Sequence, residues 1–400
     1  MLYDPGSHER LEGERWSESR AQEAIRTIVA DAEAALPDGS FWPIHPADGD
    51  SSGVETTIYL GAAGVLWALD TLQSAGGVEL RRPYGPVALQ ALEHYEVKPD
   101  FGERVPSLLM GEAGLLLVTH RLVPDAARAD RLHTLVRDNV ANETNELMWG
   151  SPGTMLAAQA MLGWTGEERW AAAWRESADR LWEEWRPVPE HGCDLWTQNL
   201  NGRVRQFIGP AHGFAGNVCV LALGGELLSG DRRAELDARA VATISTLAHR
   251  DGSHANWAPI AEAGLADRED GSIRVQWCHG SPGIVCSLAD LAPDDDALTD
   301  LLVAGGELTW TAGPLAKGGG LCHGTAGNGY AFLKLLRRTG DERWLDRARA
   351  FAMHAIGQVD RARSAHGHGH YSLWTGDIGV ALYLSSCLRE DDGVPTIDVW

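Results

Sequence analysis

Seven times along this 400-residue chain a Gly-x-x-Gly opens an apolar segment of helical character. The instances begin at Gly61, Gly111, Gly150, Gly213, Gly280, Gly324 and Gly376, and the segments behind them include Val65–Leu69, Leu115–Val118, Ile284–Leu288 and Tyr330–Leu336. A helix that is apolar nearly all round is a buried helix. Between these stretches lie amphipathic, charge-rich segments at 21–35, 127–140, 168–185, 232–249 and 342–359, with two weaker ones at 87–95 and 297–311. Alternating β-branched runs with hairpin turns are nearly absent, so the chain reads as all-α.

A buried helix alternating with a surface helix, seven times over, builds two concentric rings: an α/α toroid of seven inner and seven outer helices. Such a repeat overrides the prior that 400 residues make two or three domains. One domain is expected, with residues 1–50 carrying the first outer helix and residues 51–400 the remaining repeats. Glycine at each inner-helix start permits a tight turn and close approach. It also sets seven positive helix ends on one face of the ring, where thiolates and a developing enolate are expected to be stabilised.

Three consecutive repeats put Cys or His at that face: His212 before Gly213, Cys278-His279 before Gly280 and Cys322-His323 before Gly324. Thiolate and imidazole are the preferred ligands of zinc, and a catalytic zinc takes three protein ligands and keeps one position open. The two Cys-His pairs are too far apart for a zinc finger, so the ring has to bring them together. Cys219, Cys286 and Cys387 lie in apolar runs and read as core. His366-Gly-His368-Gly-His370 has the composition of a metal tract and reads as a loop lining the mouth. Of the sixteen tryptophans, Trp170, Trp174, Trp182 and Trp185 read as packing of one outer helix, whereas Trp277 and Trp374 fall at the mouth, placed to contact a peptide.

A net charge of −22 argues against nucleic acid and anionic membrane surfaces, which select basic patches. No apolar run is long enough for a transmembrane helix, and Met1–Arg10 lacks the apolar core of a signal peptide. A cytoplasmic protein with reduced thiols is the expectation.

These motifs, in this order, resemble the lanthionine synthetase C-like family over nearly the whole chain. The residues that carry the resemblance are Ala211–Gly216, Trp277–Gly283, Leu321–Asn328 and Ser372–Gly376. The resemblance implies a seven-fold α/α toroid, one Zn²⁺ per chain held by Cys278, Cys322 and His323, and His212 as an active-site histidine. Glu146 falls where the bacterial cyclases of the family have an acidic active-site residue, usually Asp, and Arg274 matches a cyclase arginine. His279 departs from those cyclases, where Tyr is common after this cysteine. It agrees with the eukaryotic-type members, as does Lys317 ahead of Cys322, which the resemblance assigns to binding at the same centre.

The implied activity is zinc-dependent addition of a thiol to dehydroalanine or dehydrobutyrine, forming a lanthionine-type thioether. The thiol is a peptide cysteine or a small molecule such as glutathione. The partner is a dehydrated peptide or a protein carrying a dehydroamino acid, and ring closure within one peptide requires a separate dehydratase. In that scheme His212 or His279 protonates the enolate, Arg274 bonds its oxygen, and Glu146 orients an imidazole or takes the thiol proton. Two alternatives stand beside it. One is a zinc-containing scaffold that binds a thiol or peptide without turnover. The other is a glycosidase on the same architecture using carboxylates such as Glu146, Asp194 and Asp377, which has no use for the Cys/His set.

Overall fold

A computed structural model describes residues 1–11, 13, 15–49, 53–266 and 271–400. Among the described residues there are fourteen α-helices. The outer set is α1 (Glu18–Ala35), α3 (Gly85–Val97), α5 (Ala126–Asp138), α7 (Glu168–Glu184), α9 (Gly230–Thr246), α11 (Asp296–Ala312) and α13 (Arg343–His366). The inner set is α2 (Ala62–Ser74), α4 (Glu112–Leu122), α6 (Ser151–Thr165), α8 (Phe214–Leu223), α10 (Ser281–Leu288), α12 (Thr325–Thr339) and α14 (Asp377–Arg389). Each inner helix touches the next, from α2 round to α14, and α14 closes on α2. The all-α toroid read from the repeats is therefore the fold. α1 packs chiefly along α14 and also meets α13, so the first outer helix in sequence completes the last repeat in space. The domain boundary expected between residues 50 and 51 lies outside the described residues.

The two rings begin their helices differently. Ser17, Asp125, Ser229 and Asp295 cap α1, α5, α9 and α11 with side-chain oxygens that accept the third amide of the helix. Every inner helix starts on a glycine, which has no side chain to cap with. In five of the seven the first amide bonds instead to the strap of chain that leads into it, and in α10 the Ser281 amide bonds Asn256 Oδ1 at 2.9 Å. Ala62 donates to the Glu55 carbonyl at 3.0 Å, Glu112 to Val105 at 2.9 Å, Phe214 to Phe207 at 2.9 Å, Thr325 to Gly318 at 2.9 Å and Asp377 to His370 at 2.8 Å. These amides are already hydrogen-bonded, so charge in the mouth is met mainly by side chains.

The second glycine of each repeat is where the strap crosses its helix. A methyl group at Gly327 would stand 1.7 Å from the Leu321 carbonyl oxygen, and one at Gly283 1.8 Å from that of Trp277. In all seven repeats the obstruction is the carbonyl six residues earlier. The straps are in turn hydrogen-bonded to one another. Cys278 N–H donates to the Cys322 carbonyl (3.0 Å), Cys322 to Trp374 (2.8 Å), Trp374 to Tyr59 (3.3 Å) and Tyr59 to Leu109 (3.0 Å). All five residues stand five positions before the second glycine of their repeat. Corresponding residues of successive straps are thus held in register, and of these five Tyr59, Cys278 and Cys322 line the mouth.

Three short hairpins, absent from the sequence reading, interrupt the helices: β1–β2 (Arg186–Val188 with Cys193–Leu195), β3–β4 (Gln198–Leu200 with Arg203–Arg205) and β5–β6 (His249–Asp251 with His254–Asn256). Three-residue strands are too short to show alternation. One signal was present, since Asn201-Gly202 takes positive φ at both residues, the turn this dipeptide favours. α13 also runs further than its amphipathic pattern indicated, to His366, and stops at Gly367 with φ 77°. No helix among the described residues is long and apolar enough to cross a membrane.

The strap crossing makes a stability prediction. Gly114→Ala, whose methyl would lie 2.0 Å from the Leu108 carbonyl oxygen, should destabilise by about 1–3 kcal/mol or more. Gly163→Ala within α6, where an added methyl meets nothing within 4 Å, should be neutral or stabilising by up to about 1 kcal/mol. Urea denaturation of the two variants beside the parent measures both.

Candidate metal centre

The sulfurs of Cys278 and Cys322 and a ring nitrogen of His323 lie within 4.8 Å of one another. They come from two neighbouring straps, each offering Cys five positions and His four positions before its second glycine. Locally, Gln276 and His279 exchange backbone hydrogen bonds of 3.1 Å each, which folds Trp277 and Cys278 into a tight tip. Gly280 then turns the chain into α10 at φ 112°, with the Arg274 carbonyl oxygen 2.5 Å from where a side chain would begin. The centre opens on a cavity of about 320 Å³, whose walls include His212, His279, Arg274 and Lys317.

Two buried thiols side by side do not both ionise without a cation. The Cys322 thiol hydrogen-bonds Cys278, and together with His323 and His279 it holds Cys278 well below the ordinary thiol range against the cost of burial. Cys322 is pushed well above that range by the same hydrogen bond, by burial and by the Cys278 charge. A divalent ion would remove this conflict by accepting both sulfurs. Two thiolates, one imidazole and adjoining open space are a donor set that fits zinc with one position left for a substrate.

His212 and Glu146 form a pair beside the centre. Glu146 is fully buried, and its carboxylate meets His212 Nδ1 at 2.9 Å while accepting the amides of Met148 (3.0 Å) and Trp149 (2.7 Å). Burial lowers His212, but the Glu146 hydrogen bond and charge, joined by Cys278, outweigh it and raise the ring above 6.5. His279 lies 6.1 Å from His212, ring to ring. Burial, against the pull of Cys278 and reinforced by Arg274, His212 and His323, pushes His279 down to about 4. Its Nδ1 is buried without a hydrogen-bond partner.

Some expected placements differ. Trp277 and Trp374 are 2% and 0% exposed, packed on each other with ring centroids 4.6 Å apart, so they form the floor beneath the mouth rather than a peptide-facing surface. Asp194 sits on β2 bonded to Arg239 at 3.0 Å and does not line the cavity. His366, His368 and His370 gather around His45, which stacks on His370 at 4.2 Å. His370 is paired with Asp48 at 2.5 Å. His45 Nδ1 accepts the Ala47 amide at 3.1 Å, so its neutral ring carries the proton on Nε2. Several of these groups line a cavity of about 300 Å³ that shares Lys317 and His323 with the first. Among the described residues, Cys278, Cys322 and His323 are the group whose donor atoms converge closely enough for a metal.

Two residues at the centre were not singled out from the sequence. Gln276 donates from Nε2 to the Cys278 sulfur at 2.9 Å, and Tyr59 lines the cavity together with Cys322. Both were legible in the register: Tyr59 stands at the cysteine position of the first repeat, and Gln276 at the Glu146 position of the fifth.

Residues 52–399 match the family model described as lanthionine synthetase C-like protein, and the chain belongs to that family. It is 34% identical over 193 residues to glutathione S-transferase LANCL1 of Danio rerio, a stretch covering 46% of this chain and 44% of that protein. It is 36% identical over 133 residues to LanC-like protein GCL1 of Arabidopsis thaliana, covering 31% and 30% of the two chains. The chain thus spans less than half the length of these curated relatives in its matches. The solved structure of nisin cyclase resembles it over 94% of this chain and 99% of that one, with a TM-score of 0.63 and 16% identity, which is a likeness of fold.

The raised His212 carries a sign. Its protonated form adds stability that is fully present below pH 6.5 and is lost as pH rises through the higher folded value. In metal-free protein, an NMR titration should place the His212 midpoint above 6.5, and Glu146→Gln should move it down.

Proposed function

We propose that the protein holds one zinc ion through Cys278, Cys322 and His323 and adds a thiol to a dehydroamino acid, forming a thioether. The observation that carries this reading is the convergence of two buried sulfurs and an imidazole at a cavity also lined by a carboxylate-held histidine. Bound there, zinc supplies a Lewis acid that keeps a substrate thiol ionised near neutral pH.

The chain's own groups divide the remaining work. The substrate sulfur bonds to the β-carbon of the dehydro residue, the carbon–carbon π pair moves to the α-carbon and carbonyl, and a proton must then reach the α-carbon. His212 supplies that proton. Glu146 fixes its ring through Nδ1 and favours its charged form, leaving Nε2 to face the cavity chemistry. His279 has the opposite environment and stays neutral, suited to shaping the wall rather than to giving up a proton. Arg274 and Lys317, both at the cavity, bring positive charge to the side where the enolate oxygen forms. The substrate is a dehydrated peptide or a dehydroamino-acid-containing protein, with its own cysteine or a glutathione-like thiol as the nucleophile. A dehydratase acting beforehand would supply the alkene.

Elemental analysis should find about one zinc per chain, lost in Cys322→Ala. With zinc bound, a dehydroalanine peptide and excess thiol should give a product heavier by one thiol. His212→Gln should keep its zinc and slow that reaction about 10²–10⁴-fold. Zinc and peptide binding with no mass increase would instead establish a scaffold without turnover, and absence of zinc after supplementation would remove the centre altogether.

A further inference from the structure

A thiol-adding centre built on cysteine ligands has a chemical problem of its own. With the metal in place, the sulfurs of Cys278 and Cys322 are thiolates beside an electrophilic alkene, alongside the substrate sulfur. Any of them can form the carbon–sulfur bond, and attack by a protein sulfur would end in a dead covalent adduct. Something has to make the protein's sulfurs poorer nucleophiles than the substrate's.

The structure gives the Cys278 sulfur one neutral side-chain donor and sets a second neutral donor, Tyr59, on the cavity wall with Cys322. Gln276 Nε2 lies 2.9 Å from Cys278 Sγ. The Gln276 backbone is closed onto His279 by two hydrogen bonds of 3.1 Å, so its side chain is held over the tip that bears Cys278. Tyr59, from the first repeat, lines the cavity together with Cys322. Its ring lies nearly parallel to Trp374, 6.2 Å between centroids and 14° between planes, and its carbonyl accepts the Trp374 amide at 3.3 Å. Trp374 in turn accepts the Cys322 amide at 2.8 Å. The straps that carry Tyr59 and Cys322 are therefore joined through Trp374 by one continuous run of backbone hydrogen bonds. A hydrogen bond to a metal thiolate draws charge from the sulfur and tunes what the metal-bound atom can do. Neither donor carries a charge, so neither replaces the sulfur as a base.

We propose that Tyr59 and Gln276 are shielding residues: Gln276 through its bond to the Cys278 sulfur, and Tyr59 by giving its phenol hydrogen bond to the Cys322 sulfur, so that the substrate's thiolate is the one sulfur reactive enough to attack. This rests on the zinc-thiolate reading of the preceding section. Both are positioning residues that act through the cysteines.

The test uses the full-length protein saturated with zinc, in parent, Tyr59→Phe and Gln276→Leu forms, with zinc content and thermal unfolding recorded for each. Alkylation by iodoacetamide, in which sulfur displaces iodide, is followed by peptide mapping at Cys278 and Cys322 separately. Tyr59→Phe should speed alkylation of Cys322 about tenfold, the rate equivalent of one charged hydrogen bond, and leave Cys278 within about twofold. Gln276→Leu should show the reverse pattern. With a dehydroalanine peptide in place of iodoacetamide, the same sulfurs should acquire the peptide as a covalent adduct. Unchanged rates with zinc and fold retained would overturn the inference, as would equal acceleration of both sulfurs in both variants, which marks general loosening. A variant that no longer takes zinc at saturation would assign its residue to holding the centre together instead. If the parent itself holds no zinc, the metal reading fails and this inference with it; the zinc count separates that failure from the others.

Discussion

One contact is repeated seven times and the rest of the molecule depends on it: a strap carbonyl lying against the bare α-carbon of the second glycine of an inner helix. The approach leaves no room for a β-carbon, and that is why the motif is Gly-x-x-Gly rather than a spacing of small residues in general. Because the strap crosses at the same place each time, its preceding residues face the mouth in the same register. The first helix amides are bonded to the strap in five of the repeats, which spares those helix ends any need of water or a side-chain cap. The strap-to-strap hydrogen bonds then fix neighbouring units against each other, and the inner ring closes.

A site made from equivalent positions inherits that rigidity. Cys278, Cys322 and Tyr59 stand at one register, and His212, His279 and His323 at the next. The ring thus brings side chains from repeats hundreds of residues apart to within a few ångströms without any of them lying on a flexible loop. The same geometry concentrates like chemistry, two sulfurs and several imidazoles, where each perturbs the next. His212 and His279 show the consequence. They are four positions ahead of the same glycine in adjacent repeats, yet Glu146 raises one and burial lowers the other.

Some of the structure was beyond local reading for physical reasons. The three hairpins are held by only three residues a side, too few to leave a periodicity. Trp277 and Trp374 looked like mouth residues because they adjoin the site motifs in sequence. Trp277 stands one position before the cysteine register and Trp374 at that register, yet both side chains are buried against each other in the core. α1 comes first in the chain but packs chiefly along α14, so the first outer helix closes the ring against the last inner one, a contact no local stretch of sequence records. The histidines at the end of α13 and after it resembled a metal tract by composition, whereas their rings gather about His45, one stacked and two edge-on, and the stacked one is tied to Asp48.

The sequence by itself determined the number of repeats, the division into buried and surface helices, and the all-α toroid. Each of these is written in patterns a few residues long: an apolar run, an amphipathic period, a pair of glycines. It also marked where cysteine and histidine recur in register. Only the tertiary structure decided which of those residues meet, that Cys278, Cys322 and His323 converge while the histidine tract does not, that Glu146 bonds His212, and that Tyr59 reaches across from the first repeat. Such meetings depend on closing the ring and on the direction each side chain leaves its strap, and neither is encoded in any stretch of chain short enough to read alone.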